Sequence, residues 1–160
     1  MKHRPSLLLS RATAALFTAC VIIAGTTAAR ADRCDDLAKQ LTSQIDGLQI
    51  RNSAGGAIFF RHSAVKQASL GCMSQTESNS FYATSEKRKP PEAFYELMAT
   101  AAALIFTIPK PDALRGTKRC TGRIGFIRGY NIVTRYRKLD IRCSGSKAGL
   151  SVTISRDKNV

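Results

Sequence analysis

Few side chains in this 160-residue sequence are equipped for chemistry. It has two histidines, His3 and His62, and no tryptophan. His3 lies in a segment that reads as removable, which leaves His62 alone. A lone histidine excludes a two-histidine acid–base pair, a multi-histidine metal centre and an H-E-x-x-H zinc site. One enzymatic design survives, a small hydrolase or nuclease. In it His62 and a carboxylate such as Glu77 share acid and base duties, and an arginine stabilises developing charge. No serine stands in a G-x-S-x-G context. The alternative for His62, which follows the apolar run Ala57–Arg61, is a hydrogen-bonding residue at a strand end.

Cysteine and carboxylate chemistry is sparser still. Gly71-Cys72-Met73 places a glycine beside a thiol, but exported cysteines pair off more often than they stay reduced. Glu92 and Glu96 are one helical turn apart, a spacing that ordinarily serves helix stability. Gly122, Gly125 and Gly129 lack the trailing Lys-Ser/Thr of a phosphate loop and read as bends in twisted strands. No cofactor and no metal is expected.

Residues 1–31 look like a secretory signal. Lys2, Arg4 and Arg11 precede an apolar stretch from Ala12 to Ala24, and Ala29-Arg30-Ala31 offers a small-x-small cleavage site. The apolar core is short for a membrane anchor of about 20 residues. Cys20 is a poor lipoprotein site, because Phe17 stands where a branched aliphatic is usual and the apolar run continues past the cysteine. Cleavage after Ala31 would deliver a chain with no transmembrane span to the periplasm or the exterior. It would leave Cys34, Cys72, Cys120 and Cys143, which can form two disulfides in three ways. Zinc is disfavoured, because the nearest spacing, Cys120 to Cys143, is far from C-x-x-C. Cys34–Cys72 and Cys120–Cys143 are the expected pairs. Cys34 opens a helix that must dock on the sheet carrying Cys72, and Cys120 precedes a hairpin-like region carrying Cys143.

Charge is the most informative property. The full chain has 25 Lys+Arg against 11 Asp+Glu, a formal charge of +14. From Asp32 to Pro109 basic and acidic residues balance at 8 each, whereas Lys110 to Val160 holds 13 basic and 3 acidic. The excess therefore lies in the last third of the chain.

The elements that must position these groups follow from periodicity. Leu37, Leu41 and Ile45 predict a helix over 35–46, with Gly47 as its cap. Strands are predicted at 48–51, 57–61, 69–74 and 80–84. Pro91 opens a second, alanine-rich helix over 93–108 that must end before Pro109. The final third reads as strands. Tyr130 to Tyr136 alternates, and Leu139, Ile141 and Cys143 continue the apolar set if a β-bulge intervenes near Lys138. Ser144–Lys147 reads as a turn and Leu150–Ser155 as a strand. No internal repeat is evident.

Together these predict a small single α+β domain over 32–158, with two main helices on a mostly antiparallel sheet and two disulfides. Phe94, Leu97, Ala101, Ile132, Ile141 and Val152 should line its core. Arg135, Arg137 and Arg142 fall opposite the apolar side chains, and Arg123, Arg128 and Lys138 extend the basic surface. The expected function is a non-enzymatic binding or structural module whose basic sheet face meets an anionic polymer, a lipid head group or an acidic protein. Export makes nucleic acid the less accessible partner.

Overall fold

The computed structural model describes residues 28–72 and 78–156. Glu77, the carboxylate of the hydrolase reading, lies outside the described residues, as does the expected signal segment up to position 27. Helix α1 (Ala28–Gln44) starts before the expected cleavage point after Ala31.

Seven strands form one antiparallel sheet in the order β1-β2-β3-β4-β7-β6-β5. They are β1 (Gln49–Ala54), β2 (Ala57–Arg61), β3 (Gln67–Gly71), β4 (Ser80–Ser85), β5 (Asn131–Tyr136), β6 (Leu139–Ser146) and β7 (Gly149–Ser155). Two meanders, β1–β4 and β5–β7, meet where β4 pairs with β7. Helices α2 (Glu92–Phe106) and α3 (Lys110–Thr121) connect the two meanders.

Burial follows the pleat, in which alternate side chains point to opposite faces. On β4, β6 and β7 one face carries Phe81, Ala83, Ile141, Cys143, Val152 and Ile154, all buried. The other face carries Tyr82, Thr84, Ser151 and Thr153, which are half-buried. The small side chains at the centre of α2, Ala99, Ala101 and Ala102, are fully buried and allow close packing. Phe94 and Met98 of the same helix are completely buried, and burying each contributes about 1.5–3 kcal/mol. Of the expected core, Phe94, Leu97, Ala101, Ile141 and Val152 are buried, and Ile132 packs half-buried against them.

The structure corrects two expectations. First, Lys110–Thr121 is a third helix rather than the start of the strand region. Pro111 lies in its first turn, Asp112 suits the positive end of the helix dipole, and Lys118 and Arg119 suit the negative end. Its buried side, Ala113, Gly116, Thr117 and Cys120, keeps helical spacing in small residues, so it lies flat on the sheet. Glu96 to Lys110 at 2.7 Å and Glu92 to Lys118 at 2.5 Å tie α2 and α3 together.

Second, there is no bulge near Lys138. Arg137 and Lys138, with φ of 51° and 65°, form a two-residue turn between β5 and β6. Left-handed backbone of this kind suits the right-handed twist of paired strands, although it costs an L-residue about 1–2 kcal/mol. The β6–β7 turn also comes later than expected, at Lys147 and Ala148, because β6 runs on through Ser146.

Cys34–Cys72 and Cys120–Cys143 are bonded, with Cα–Cα distances of 5.7 and 6.1 Å. The first joins α1 to the end of β3, and the second joins the end of α3 to β6. No helix among the described residues is long and apolar enough to cross a membrane.

Candidate functional site: a cationic groove at the end of the sheet

His62 is held by backbone on both ring nitrogens. Nδ1 accepts a hydrogen bond from the Ala64 N–H at 3.1 Å, which leaves Nε2 to donate to the Asp46 carbonyl at 3.0 Å. The ring thereby ties the end of β2 to the turn that precedes β1. Neither nitrogen faces a space that a substrate could enter without breaking one of these bonds. His62→Ala is therefore expected to cost about 1–2 kcal/mol of stability through two lost hydrogen bonds, as read by urea unfolding. Nuclease or esterase turnover that vanished in this variant would instead restore the hydrolase reading. Among the described residues, no group of three or more His, Cys, Asp or Glu side chains could hold a metal ion.

The expected anion-binding residues occupy several places. Arg135 and Arg142 share the outer face of β5 and β6, but Arg135 is bound by both carboxylate oxygens of Asp140, at 3.0 and 3.3 Å. Arg137 sits in the hairpin turn with Lys138 and approaches Asp112 at 3.8 Å, a carboxylate that Arg115 also reaches at 3.7 Å. The Arg123 guanidinium lies 3.5 Å from the Thr134 hydroxyl. Arg128 stands in the exposed α3–β5 connection. Of this set, Arg135 and Arg137 are the two that make ion pairs among the described residues.

A different group of cations converges on a cavity. Arg88 and Lys89 from the β4–α2 connection and Lys118 of α3 line one groove of about 660 Å³. Tyr95, Thr121, Gly122, Ile124, Gly145 and Leu150 form the rest of its lining. Aromatic rings hold two of the cations in place. The Arg88 guanidinium lies 5.3 Å from the centre of the Tyr130 ring, and the Lys118 ammonium lies 5.7 Å from that of Tyr95. The Tyr95 hydroxyl is in turn hydrogen-bonded to the Thr121 hydroxyl at 3.2 Å. Glu92 neutralises Lys118 in part, through an ion pair exposed enough to open when a stronger anion arrives.

The sequence contains both halves of this groove without connecting them. Lys87-Arg88-Lys89 is visible as a charge run before a helix, and Lys118 as one basic residue among several. Their convergence depends on α3 folding back along α2, which no local pattern reveals. Compared with known protein families, curated proteins and solved structures, the chain matches none.

Proposed function

We propose that this protein is an exported, non-enzymatic binding module that meets an anionic partner through its basic surface. The observation that carries this reading is the convergence of Arg88, Lys89 and Lys118 on one concave site. Cations spread over a convex face serve solubility equally well, whereas cations gathered in a cleft focus their field on whatever enters it. Guanidinium and ammonium donors lining one groove suit a phosphate or carboxylate group. Two disulfides support an oxidising destination, the periplasm or the exterior, and the Sec-type signal read in residues 1–31 supplies the route.

Inorganic polyphosphate is a suitable soluble probe. Wild-type affinity is expected to fall steeply between about 50 and 200 mM salt. Replacing Arg88, Lys89 and Lys118 together with Gln should weaken binding about tenfold or more and flatten the salt dependence. The corresponding Gln triple at Arg135, Arg137 and Arg142 should weaken it less, because Asp140 and Asp112 already engage two of those arginines. Both triples substitute exposed side chains, and stability should change by only about 0.5 kcal/mol per site. Equal losses from the two triples would mean that the groove is not the site. No binding by the wild type would remove the anion-binding function.

A further inference from the structure

A short loop rises from the rim of the groove. After α3 the chain reaches Ile124, crosses Gly125–Gly129 and returns at Tyr130. Gly125 and Gly129 face each other as an isolated antiparallel bridge, with the Gly125 N–H donating to the Gly129 carbonyl at 3.0 Å. Phe126, Ile127 and Arg128 form the apex. Phe126 is 95% exposed and Ile127 96%, well beyond Val133 at 67% or Ile50 at 48%. Scattered apolar residues on a surface are ordinary. Two adjacent large ones at the apex of a closed loop, without any contact that shields them, are not.

The loop is anchored at both feet. Ile124 packs against Gly145, and the Gly145 N–H donates to the Tyr130 carbonyl at 2.8 Å. Ile124, the first foot, lines the groove, and Arg88, another lining residue, lies over the Tyr130 ring at the second foot. Cations surround the base. Lys118, Arg119, Arg123 and Arg128 occur within eleven residues that contain no acid, and Arg88 and Lys89 line the same groove as Lys118. Glu92 is the acid that meets this group, and Lys118 already binds it.

From this arrangement we propose that the protein docks on an anionic phospholipid surface. Phe126 and Ile127 enter the acyl boundary, and the groove cations take the lipid phosphates. The inference rests on the anion-binding reading above and names its partner. An apolar apex between basic flanks matches the layered chemistry of a bilayer interface, where hydrocarbon lies just beneath a sheet of negative head groups. A protein partner fits less well. Stable protein interfaces need an extended complementary surface of about 1,000 Å² or more. Two side chains on a narrow projection offer little area, whereas a fluid bilayer accepts them without shape complementarity.

The absence of tryptophan makes the test direct, because Phe126→Trp places the chain's sole tryptophan at the apex. With vesicles of phosphatidylglycerol in phosphatidylcholine at low salt, its emission should move to shorter wavelength and be quenched by brominated acyl chains. Phosphatidylcholine vesicles alone should leave it unchanged. The reporter senses the apex itself, so insertion of any other apolar segment does not mimic the result. In the otherwise wild-type chain, Phe126→Ser with Ile127→Ser should lower affinity for the anionic vesicles about tenfold or more. Its polyphosphate affinity should stay within about twofold, because the apex packs against nothing. An unshifted tryptophan in a protein that still binds polyphosphate would overturn docking on lipid and leave an acidic protein or polymer as the partner. Unchanged vesicle affinity in the double variant would overturn it too. Failure of the wild type to bind either probe would bring down the anion-binding reading, and this inference with it.

Discussion

Gly149→Ala is expected to destabilise the protein by about 3 kcal/mol or more and to lower its thermal midpoint by about 10 °C. Gly149 opens β7 with φ of 133°, a conformation that L side chains rarely adopt. A Cβ there would also overlap the Ser85 carbonyl and crowd the backbone of Glu86. Backbone cannot step aside as a flexible side chain can. Relief therefore requires β4 and β7 to separate at the pair Ser85–Leu150. That pairing is the seam between the two meanders, so a local overlap becomes a loss of domain cooperativity.

Gly55→Ala is the matched control. Its φ is 59°, but nothing lies within 4 Å of an added Cβ. It should cost only about 1 kcal/mol, the ordinary penalty for an L-residue in left-handed backbone. Urea unfolding of the two variants separates the causes. If Gly149→Ala cost no more than Gly55→Ala, the close approach of β7 to the β4–α2 connection would be wrong. Leu150 and Gly145 line the groove, so polyphosphate affinity should fall with Gly149→Ala even in the fraction that stays folded.

Legibility in the sequence tracked side-chain size. The alternation of Leu150, Val152 and Ile154 announced β7, and the apolar run Ala57–Arg61 coincides with β2. Phe94, Leu97, Met98 and Ala101 likewise mark the buried side of α2, which ends at Phe106, two residues before the expected limit. Helix α3 escaped because its buried side presents Ala113, Gly116, Thr117 and Cys120, whose spacing is helical but whose hydrophobicity is slight. Gly116 has to be small, since it lies against Ile141 and Tyr136. The β5–β6 turn escaped for a chemical reason. Arg-Lys occupies a left-handed turn where Asn-Gly is the usual signal. Without the turn, Tyr136 and Leu139 look like one strand interrupted by a bulge.

The basic surface was legible as composition and only partly as geometry. Alternation alone places Arg135 and Arg142 on the outer face. The ion pair of Arg135 with Asp140 needs the hairpin register, in which these two residues stand directly opposite. Arg88, Lys89 and Lys118 meet only through the antiparallel packing of α2 and α3. Such long-range convergence is where single-sequence reading stops, because every local cue at Lys87–Lys89 also fits a solvated loop.

Replacing Cys120 and Cys143 together with Ala should cost about 3–4 kcal/mol, chiefly by releasing the unfolded chain from a closed loop. The bridge spans 23 residues and both cysteines are buried, Cys120 at 0% and Cys143 at 2% exposure. The double substitution leaves neither bridge partner behind as a free thiol, so the loss reports the cross-link rather than a newly exposed cysteine. A domain of this size has a total stability of about 5–15 kcal/mol, and the variant should remain folded with a clearly lower urea midpoint. The functional effect should exceed the global one. Cys120 ends α3, and the groove residues Thr121, Gly122 and Ile124 follow it directly. Releasing that end from β6 loosens the groove wall and the feet of the Phe126–Ile127 loop before the sheet itself opens. Cys34–Cys72 makes the contrast. It closes 38 residues and should contribute similar stability, but it fastens α1 to the end of β3 that pairs with the start of β4, at the opposite end of that strand from Arg88 and Lys89. Its double-Ala variant should therefore lose stability while keeping polyphosphate affinity within about twofold, as sites without shared partners do. Unequal loss of binding at comparable loss of stability is the expected signature. Equal loss from the two variants would show that the groove depends on global stability alone.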